Sequence, residues 1–313
     1  MKNKIRVAVL AGGWSEEREV SLKSGKAVYA ALNRERYDVT IYDPRNDLEV
    51  LTKRRAEIDL AFILLHGKFG EDGRVQGMLD ILQIPFVGSG VLSSAMAMNK
   101  RIAKDVCRGV GLRVAEEVIL KQGERFSVKR LIAKLGSPVV IKPVSEGSSI
   151  GISIAHDREE ILEGIDKAFQ YDAEVMAEEY LDGTEITCCV LGNQDLETLP
   201  VVEIVPDVAH TFFDYEAKYL PGATDEICPA RIAPALAEEA ASCAKKAHRA
   251  LKCSVWSRSD MIIREETLYL LEINTLPGMT ETSLFPLAAR RAGMTLSDLL
   301  DRLIMCSLEQ YGE

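Results

Sequence analysis

The chain has no apolar run approaching the roughly 18 to 20 residues that a membrane helix needs. Its longest apolar stretch near the start, Val7 to Ala11, lacks the layout of a signal peptide. A place in the cytoplasm and no membrane partner are therefore expected. CxxC spacing is missing and the seven cysteines are an odd number, which argues against a disulfide framework and against a zinc site. Cys107, Cys188, Cys189, Cys228, Cys243, Cys253 and Cys306 read as small buried hydrophobes or bystanders. Positive charge is short as well. With 38 basic against 48 acidic residues the net charge is −10, a surface that repels phosphate backbones and sets nucleic acid aside as a partner. Internal repeats, low-complexity segments, a GxGxxG fingerprint and a GxxxxGK[ST] loop are all absent from the sequence.

What remains is the composition of a globular protein, 47% hydrophobic and 27% charged over 313 residues, enough for two or three packed subdomains. Ile5 to Leu10 reads as a buried strand running into Ala11-Gly12-Gly13, and Glu16 to Asn33 has helical spacing. Val39 to Tyr42, Ile58 to Leu65 and Pro85 to Val87 read as further strands, with a helix from Gly77 to Leu82. That alternation predicts parallel βαβ units, a Rossmann-like lobe over the first 95 or so residues. After Gly88-Ser89-Gly90 the pattern changes. A helix over Asn99 to Gly109 precedes a strand over Val139 to Lys142, a polar loop Ser145 to Ser149, and a strand resuming over Ile150 to Ala155. This is the layout of a hairpin. Further strands are expected over Glu174 to Leu181 and Glu185 to Leu191, with helices over Asp157 to Phe169 and Ala235 to Leu251, the latter with Pro234 at its first position. Met261 to Ile263 and Leu268 to Ile273 read as antiparallel strands about the turn Arg264-Glu265-Glu266.

Four segments carry chemistry-bearing residues. Asp260 is expected near the end of one strand, and Glu272 and Asn274 on the next, two apart and so on one face. Two carboxylates with an amide oxygen suit Mg²⁺, which takes few protein ligands plus phosphates; a solvated strand face reads the same way. The loop Asn274 to Gly278 adds exposed backbone amides beside them. His66-Gly67-Lys68-Phe69-Gly70-Glu71-Asp72-Gly73 follows an apolar strand, where ligands of open parallel sheets bind. It is equally a tight turn whose acids cap a helix. Lys142 ends a strand beside the Gly-Ser loop and Lys100 opens a helix, placements open to phosphate binding or to an ordinary surface. Phe212 to Gly222 is aromatic-rich in an irregular region, the character of a lid or of a loop packed on the core. His156, His210 and His248 show no partner pattern.

Taken together, these motifs resemble those of the D-alanine–D-alanine ligase family of the ATP-grasp superfamily. In chain order they are GGWSEEREVSLKSG, HGKFGEDG, the GSG before Val91, MNK at Met98 to Lys100, VIKPVSEGSSIG, AEEYLDGTE, DYEAKY and LEINTLPGMTETSLFP. The resemblance runs from about residue 4 to 310. It implies an α/β and α+β chain with the ATP-grasp fold. A Rossmann-like lobe would span 1–97, a central lobe 98–182 and a C-terminal lobe with metal site and lid 183–313, the two antiparallel-sheet lobes enclosing ATP.

The activity it implies is ATP-dependent joining of two D-alanines, through a D-alanyl phosphate, for peptidoglycan synthesis. Glu17 would hold the first D-alanine's ammonium, with His66 nearby supported by Glu71 and Asp72. Lys100 and Lys142 would contact phosphates, with Ser148 and Ser149 on the covering loop. Glu178, Glu179 and Leu181 would line the adenine pocket and Glu185 would bind ribose. On the lid, Lys218 would reach the γ-phosphate and Tyr219 would link with Glu17 and Ser148. Arg258 and the backbone of Gly278 would stabilise the tetrahedral oxyanion. Asp260, Glu272 and Asn274 would hold two Mg²⁺ or Mn²⁺, and Ser283 with Leu284 the second D-alanine's carboxylate. A homodimer is implied and K⁺ activation is left open. Trp14, Ser257 and Ser259 depart from the family's usual residues at their positions. The alternatives are a sister ligase with D-lactate or D-serine as acceptor, Tyr219 favouring D-alanine over D-lactate, and a non-catalytic nucleotide-binding regulator.

Overall fold

The computed structural model describes residues 4–206 and 224–312. Lys218 and Tyr219 lie outside the described residues, as does the whole aromatic segment Phe212 to Gly222. The first strands are β1 (Ile5–Leu10), β2 (Tyr37–Tyr42), β3 (Leu60–Ile63) and β4 (Phe86–Val87), a parallel sheet in the order β2-β1-β3-β4. Every residue of β3 is buried, as expected of a strand covered on both faces. The connections carry α1 (Arg18–Ala31), α2 (Pro44–Lys53) and α3 (Arg74–Ile81). Two short helices follow, α4 (Val91–Met98) and α5 (Lys100–Gly109), with the side chain of Asn99 capping α5 by accepting from Ile102 N at 3.0 Å.

The second sheet is antiparallel, in the order β5-β8-β6-β7: β5 (Glu117–Lys121), β6 (Val139–Pro143), β7 (Ser153–Ala155) and β8 (Glu174–Glu179). Helices α6 (Val128–Leu135) and α7 (Arg158–Ala168) cover it, the latter capped by Asp157. The expected hairpin is present, β6 pairing β7 antiparallel. Its second strand is shorter than the Ile150 to Ala155 expected. Residues Gly147 to Ile152 form turns, and Gly151 adopts φ +74° against the rings of Pro143 and Tyr171.

The third sheet runs β12-β11-β9-β13-β14, with β10 on β9. Its strands are β9 (Thr184–Leu191), β10 (Glu197–Thr198), β11 (Val202–Pro206), β12 (Thr224–Ile227), β13 (Trp256–Arg264) and β14 (Thr267–Asn274). Helix α8 (Pro234–Ala250) packs on one face, burying Ala240, Cys243, Ala244 and Ala247. The chain ends in α9 (Leu284–Arg291) and α10 (Leu296–Tyr311), the second opened by a Thr295/Asp298 capping box.

The sheets are not independent bodies. Trp256 of β13 lies edge-on to Phe285 of α9, 5.2 Å between centroids, and also to Phe62 of β3 at 6.4 Å. Tyr311 of α10 reaches Phe86 of β4 at 5.9 Å. One apolar core therefore continues from the parallel sheet into the last two helices. The carboxyl ends of β1 and β3 are thereby held against the edge of the third sheet, where the cleft forms.

Candidate active site

The cleft begins at the glycine-dense turn after β3. Gly70 sits so close to the preceding strand that a Cβ there would fall 2.0 Å from Leu65 O, and Gly67 has φ +69° with Glu17 Oε2 in the space a Cβ would point into. Those two glycines let the turn fold back onto Glu17, the residue immediately before α1. Ser15 Oγ donates to His66 O at 2.6 Å, fixing the two loops together. Glu17 is buried, and its Oε1 accepts from Ser148 Oγ of the β6–β7 loop. Ser148 and Ser149 both hold left-handed conformations, φ +46° and +59°, which turn the loop back toward the first lobe.

His66 is buried against Leu276, and desolvation pushes its imidazole pKa down despite the nearby Glu17 carboxylate. Its Nε2 has no hydrogen-bond partner among the described residues. Glu71 accepts from Gly67 N at 2.7 Å. Burial and the neighbouring Glu17 carboxylate push the Glu71 carboxyl up to about 8, so it carries a proton at neutral pH. Asp72 faces away, accepting from Phe69 N and pairing with Arg74. It closes the turn and makes no hydrogen bond to His66 among the described residues.

Arg258 and Asp260 stand on one face of β13, opposite Asn274 and Glu272 of β14. Arg258 Nε and Nη2 bind Asp260 Oδ1 and Oδ2 at 2.8 and 2.7 Å, and Thr187 Oγ1 donates to Oδ1 at 2.6 Å. Burial alone would lower the guanidinium's pKa, but the Asp260 carboxylate holds it well above its ordinary value. Asp260 was expected near a strand end and is instead in the middle of β13, at the point where the register with β14 shifts. A β-bulge there re-aims side chains without ending the strand, which alternation alone does not reveal. Asp260, Glu272 and Asn274 are an oxygen donor set on one sheet face, chemically suited to a hard dication that completes its shell from phosphates and water.

Gly278 packs against Ser283, whose Oγ would lie 2.9 Å from a Cβ there. Ser283 precedes α9, and its Oγ accepts from Thr280 N at 3.0 Å. Leu284 is the first residue of the helix and lines the cleft, and among the described residues no side chain caps the helix at Ser283. A cleft of about 1000 Å³, open to solvent, brings together Glu17, His66, Ser148, Arg258, Gly278 and Ser283. It is also lined by Lys100, Glu272, Asn274 and Leu284. A second cavity of about 800 Å³ lies between the two antiparallel sheets and shares Lys100 and Glu272 with the first. Lys142, Ser149, Glu178, Glu179, Leu181 and Glu185 line it, together with Asp260.

At its floor Lys142 pairs with Glu178, and Lys104 binds the other oxygen of Glu178 at 2.6 Å. Desolvation opposes both charges, yet Lys142's pKa is raised by Glu178, and Glu178's is lowered by Lys142 and Lys104. Sequence reasoning missed Lys104; its signal was the i, i+4, i+8 column Lys100, Lys104, Arg108. It also missed Glu226 of β12, which lines the first cleft and whose carboxyl burial pushes up to about 7. Separated from β13 by two intervening strands and far away in sequence, Glu226 had no local signal.

The D-ala D-ala ligase C-terminus family model matches residues 106–305, and the corresponding N-terminus model matches 6–53 and 44–89. The chain is 50% identical to a D-alanine–D-alanine ligase of Syntrophobacter fumaroxidans over 98% of both chains. To one of Desulfotalea psychrophila it is 52% identical, over 98% of this chain and 96% of the relative. Among solved structures, a Bacillus anthracis D-alanine–D-alanine ligase complexed with ATP superposes with a TM-score of 0.87 at 35% identity, covering 98% of this chain and 99% of that one. The matches cover both ends and every segment that lines the cleft, and the chain accordingly belongs to the D-alanine–D-alanine ligase family.

Proposed function

We propose that the chain joins two D-alanines at the expense of ATP, through a D-alanyl phosphate, and so supplies a dipeptide for peptidoglycan. The observation that carries this reading is the joined cleft, with Glu17 at one end and Lys100 and Glu272 at the junction with the cavity between the antiparallel sheets. An amino acid held by its ammonium at Glu17 would direct its carboxylate toward a phosphate at Lys100. Glu17 provides the anion for that ammonium, and the neutral states of His66 and Glu71 keep other charges from competing for it.

Attack of the first carboxylate on the γ-phosphate forms a mixed anhydride, and ADP leaves. The amine of the second D-alanine then adds to the activated carbonyl. Negative charge develops on that carbonyl oxygen, and Arg258 with the backbone N–H of Gly278 receives it until the intermediate collapses, breaking the acyl C–O bond and expelling phosphate, which takes up the proton that the amine gives up. The Nη1 group of Arg258 makes no hydrogen bond among the described residues, since Asp260 takes only Nε and Nη2. Ser283 and the first N–H groups of α9 bind the second carboxylate, a use of a helix start that needs no cationic side chain. Most of the acceleration then comes from positioning and charge neutralisation.

Lys142 with Glu178, Glu179 and Leu181 forms the adenine and phosphate pocket, and Glu185 the ribose end. Asp260, Glu272 and Asn274 would hold Mg²⁺ or Mn²⁺, which when bound neutralises developing phosphate charge. The proposed lid pair Lys218 and Tyr219, the homodimer and the cytoplasmic location rest on the family resemblance.

The test is phosphate release from ATP and Mg²⁺ with D-alanine, against L-alanine, D-lactate and D-serine. D-alanine-dependent release with D-alanyl-D-alanine as product is the expected outcome. Release only with D-lactate or D-serine as second substrate would move the chain to a sister ligase, and ATP binding without turnover would make it a regulator. Glu272→Gln should cut turnover by about 100-fold or more without unfolding the chain, because it removes a charge at the metal site and no core volume. Wild-type activity in that variant would overturn the metal assignment.

A further inference from the structure

We infer that Lys104 is a positioning residue of the nucleotide end, balancing Glu178 so that Lys142 stays available to an anionic ligand. The inference rests on the nucleotide reading above and deepens it by assigning a residue outside the pocket wall. Helix α5 presents Lys100, Lys104 and Arg108 on one face, each four residues from the next. Three carboxylates from three different strands stand opposite, Glu272 of β14, Glu178 of β8 and Glu117 of β5. Lys100 Nζ lies 3.4 Å from Glu272, Lys104 Nζ 2.6 Å from Glu178 and 3.2 Å from Glu117, and Arg108 Nη2 2.7 Å from Glu117.

The column grades from cleft to surface, and its middle member is the most deeply buried. The Lys104 side chain is 3% exposed, as is that of Glu178, whereas Arg108 is 42% exposed. Lys104 lines neither cavity, so any effect on a ligand must pass through Glu178. Glu178 sits between two ammonium groups, and Glu117 has Arg108 as a second partner. Lys142 and Lys104 thus face Glu178 with one positive charge in excess, whereas Arg108 at the surface is shared between Glu117 and Asp105. Buried at the floor of a cavity, that excess is what a polyphosphate meets. Without Lys104 the cluster is neutral, Glu178 has Lys142 as its single ammonium partner, and the pair closes on itself. A charge compensated within the protein attracts an external anion weakly.

The experiment is a double-mutant cycle on the full chain, reading ATP affinity by calorimetry alongside steady-state kinetics. Lys104→Met should weaken ATP binding and raise KM for ATP on the order of tenfold, with kcat at saturating ATP and KM for D-alanine within about twofold. Lys104→Arg, which keeps the charge, should restore most of the affinity. In a Glu178→Gln background there is no carboxylate to balance, so the same Lys104→Met change should move ATP affinity by less than about twofold. A merely structural lysine would weaken ATP to the same extent in both backgrounds, or would lower kcat and both affinities together, and either result overturns the inference. So does unchanged ATP affinity in Lys104→Met, or an equal loss in Lys104→Arg. Absence of ATP binding by the wild-type chain would overturn the nucleotide reading, and this inference with it.

Discussion

The two ends of the cleft handle buried charge in opposite ways. At the nucleotide end, Lys142, Glu178 and Lys104 compensate one another at hydrogen-bond distance, and their pairing holds each of Lys142 and Glu178 in its charged form. At the amino-acid end, His66 and Glu71 are instead driven toward their neutral forms by burial and by Glu17 or Arg258 nearby. The first arrangement is a fixed electrostatic floor. The second is one whose charge depends on pH and on what is bound. The difference follows from element geometry. Glu178 and Lys142 are diagonal neighbours on adjacent antiparallel strands, and Lys104 of α5 reaches Glu178 as well, so partners are supplied by regular structure. The amino-acid end is assembled from three loops that supply backbone amides and few countercharges.

Arg258 lies where the two ends meet, so changing it should break the comparison altogether and with the largest effect. Arg258→Lys keeps the charge but loses the planar fork that grips both oxygens of Asp260. Turnover by D-alanine-dependent phosphate release should fall by about 10² to 10³, the usual loss for a donor to a developing oxyanion. The melting temperature should fall as well, because Asp260 is left buried with Thr187 as its remaining side-chain donor. Activity within tenfold of wild type would mean that charge alone suffices and that the fork is structural.

Glu71→Gln sharpens the comparison through pH. A carboxyl whose folded pKa is raised from 4.5 to about 8 binds more protons folded than unfolded between those values. Stability therefore falls as pH rises through that interval and is level above it. The other groups that titrate nearby, among them Glu226 at about 7 and His66, which shifts downward, remain in both chains and cancel in the difference. Urea unfolding at pH 5.5, 7 and 9 should show the wild type losing about 1 to 3 kcal/mol relative to Glu71→Gln across the series. The neutral amide can still accept from Gly67 N, so the turn itself persists. A pH-independent difference would place the proton elsewhere. The nucleotide end offers no such handle, since its charges are fixed by pairing.

The same contrast explains what could be read from the sequence. Alternating βα elements, the β6–β7 hairpin and Pro234 at the first position of α8 were legible because each is a local signal of period, turn or helix start. Some short elements were not: α2, β5 and α6 span only 10, 5 and 8 residues, and the shift at Asp260 depends on a partner strand. Site residues inside contiguous motifs, such as Lys142 with Ser148 and Ser149, could be singled out by their place at a strand end. Those whose meaning lies in a tertiary partner could not. Lys104 looks like any helical lysine until Glu178 arrives from β8, and Glu226 until the third sheet closes over the cleft.

The smallest predicted effect concerns the seam between the two ends. Lys68, in the turn after β3, pairs with Glu146 beside the β6–β7 loop, and its Nζ also lies 3.4 Å from Tyr171 O. Together with Ser148 on Glu17, this ties the loop to the first lobe. The two ties differ in kind. Ser148 and Glu17 meet within the buried cleft, whereas Lys68 is 47% exposed and therefore well screened by solvent. An exposed ion pair contributes about 0 to 1 kcal/mol, so Lys68→Met should raise KM for D-alanine by no more than about fivefold and leave kcat unchanged. The same variant should lose whatever salt dependence the wild-type KM shows between low and moderate ionic strength, because the screened interaction is gone. A loss of turnover rivalling that of Arg258→Lys would show that the loop is held at the surface and not by Glu17, and the cleft's buried end would then be the passive partner.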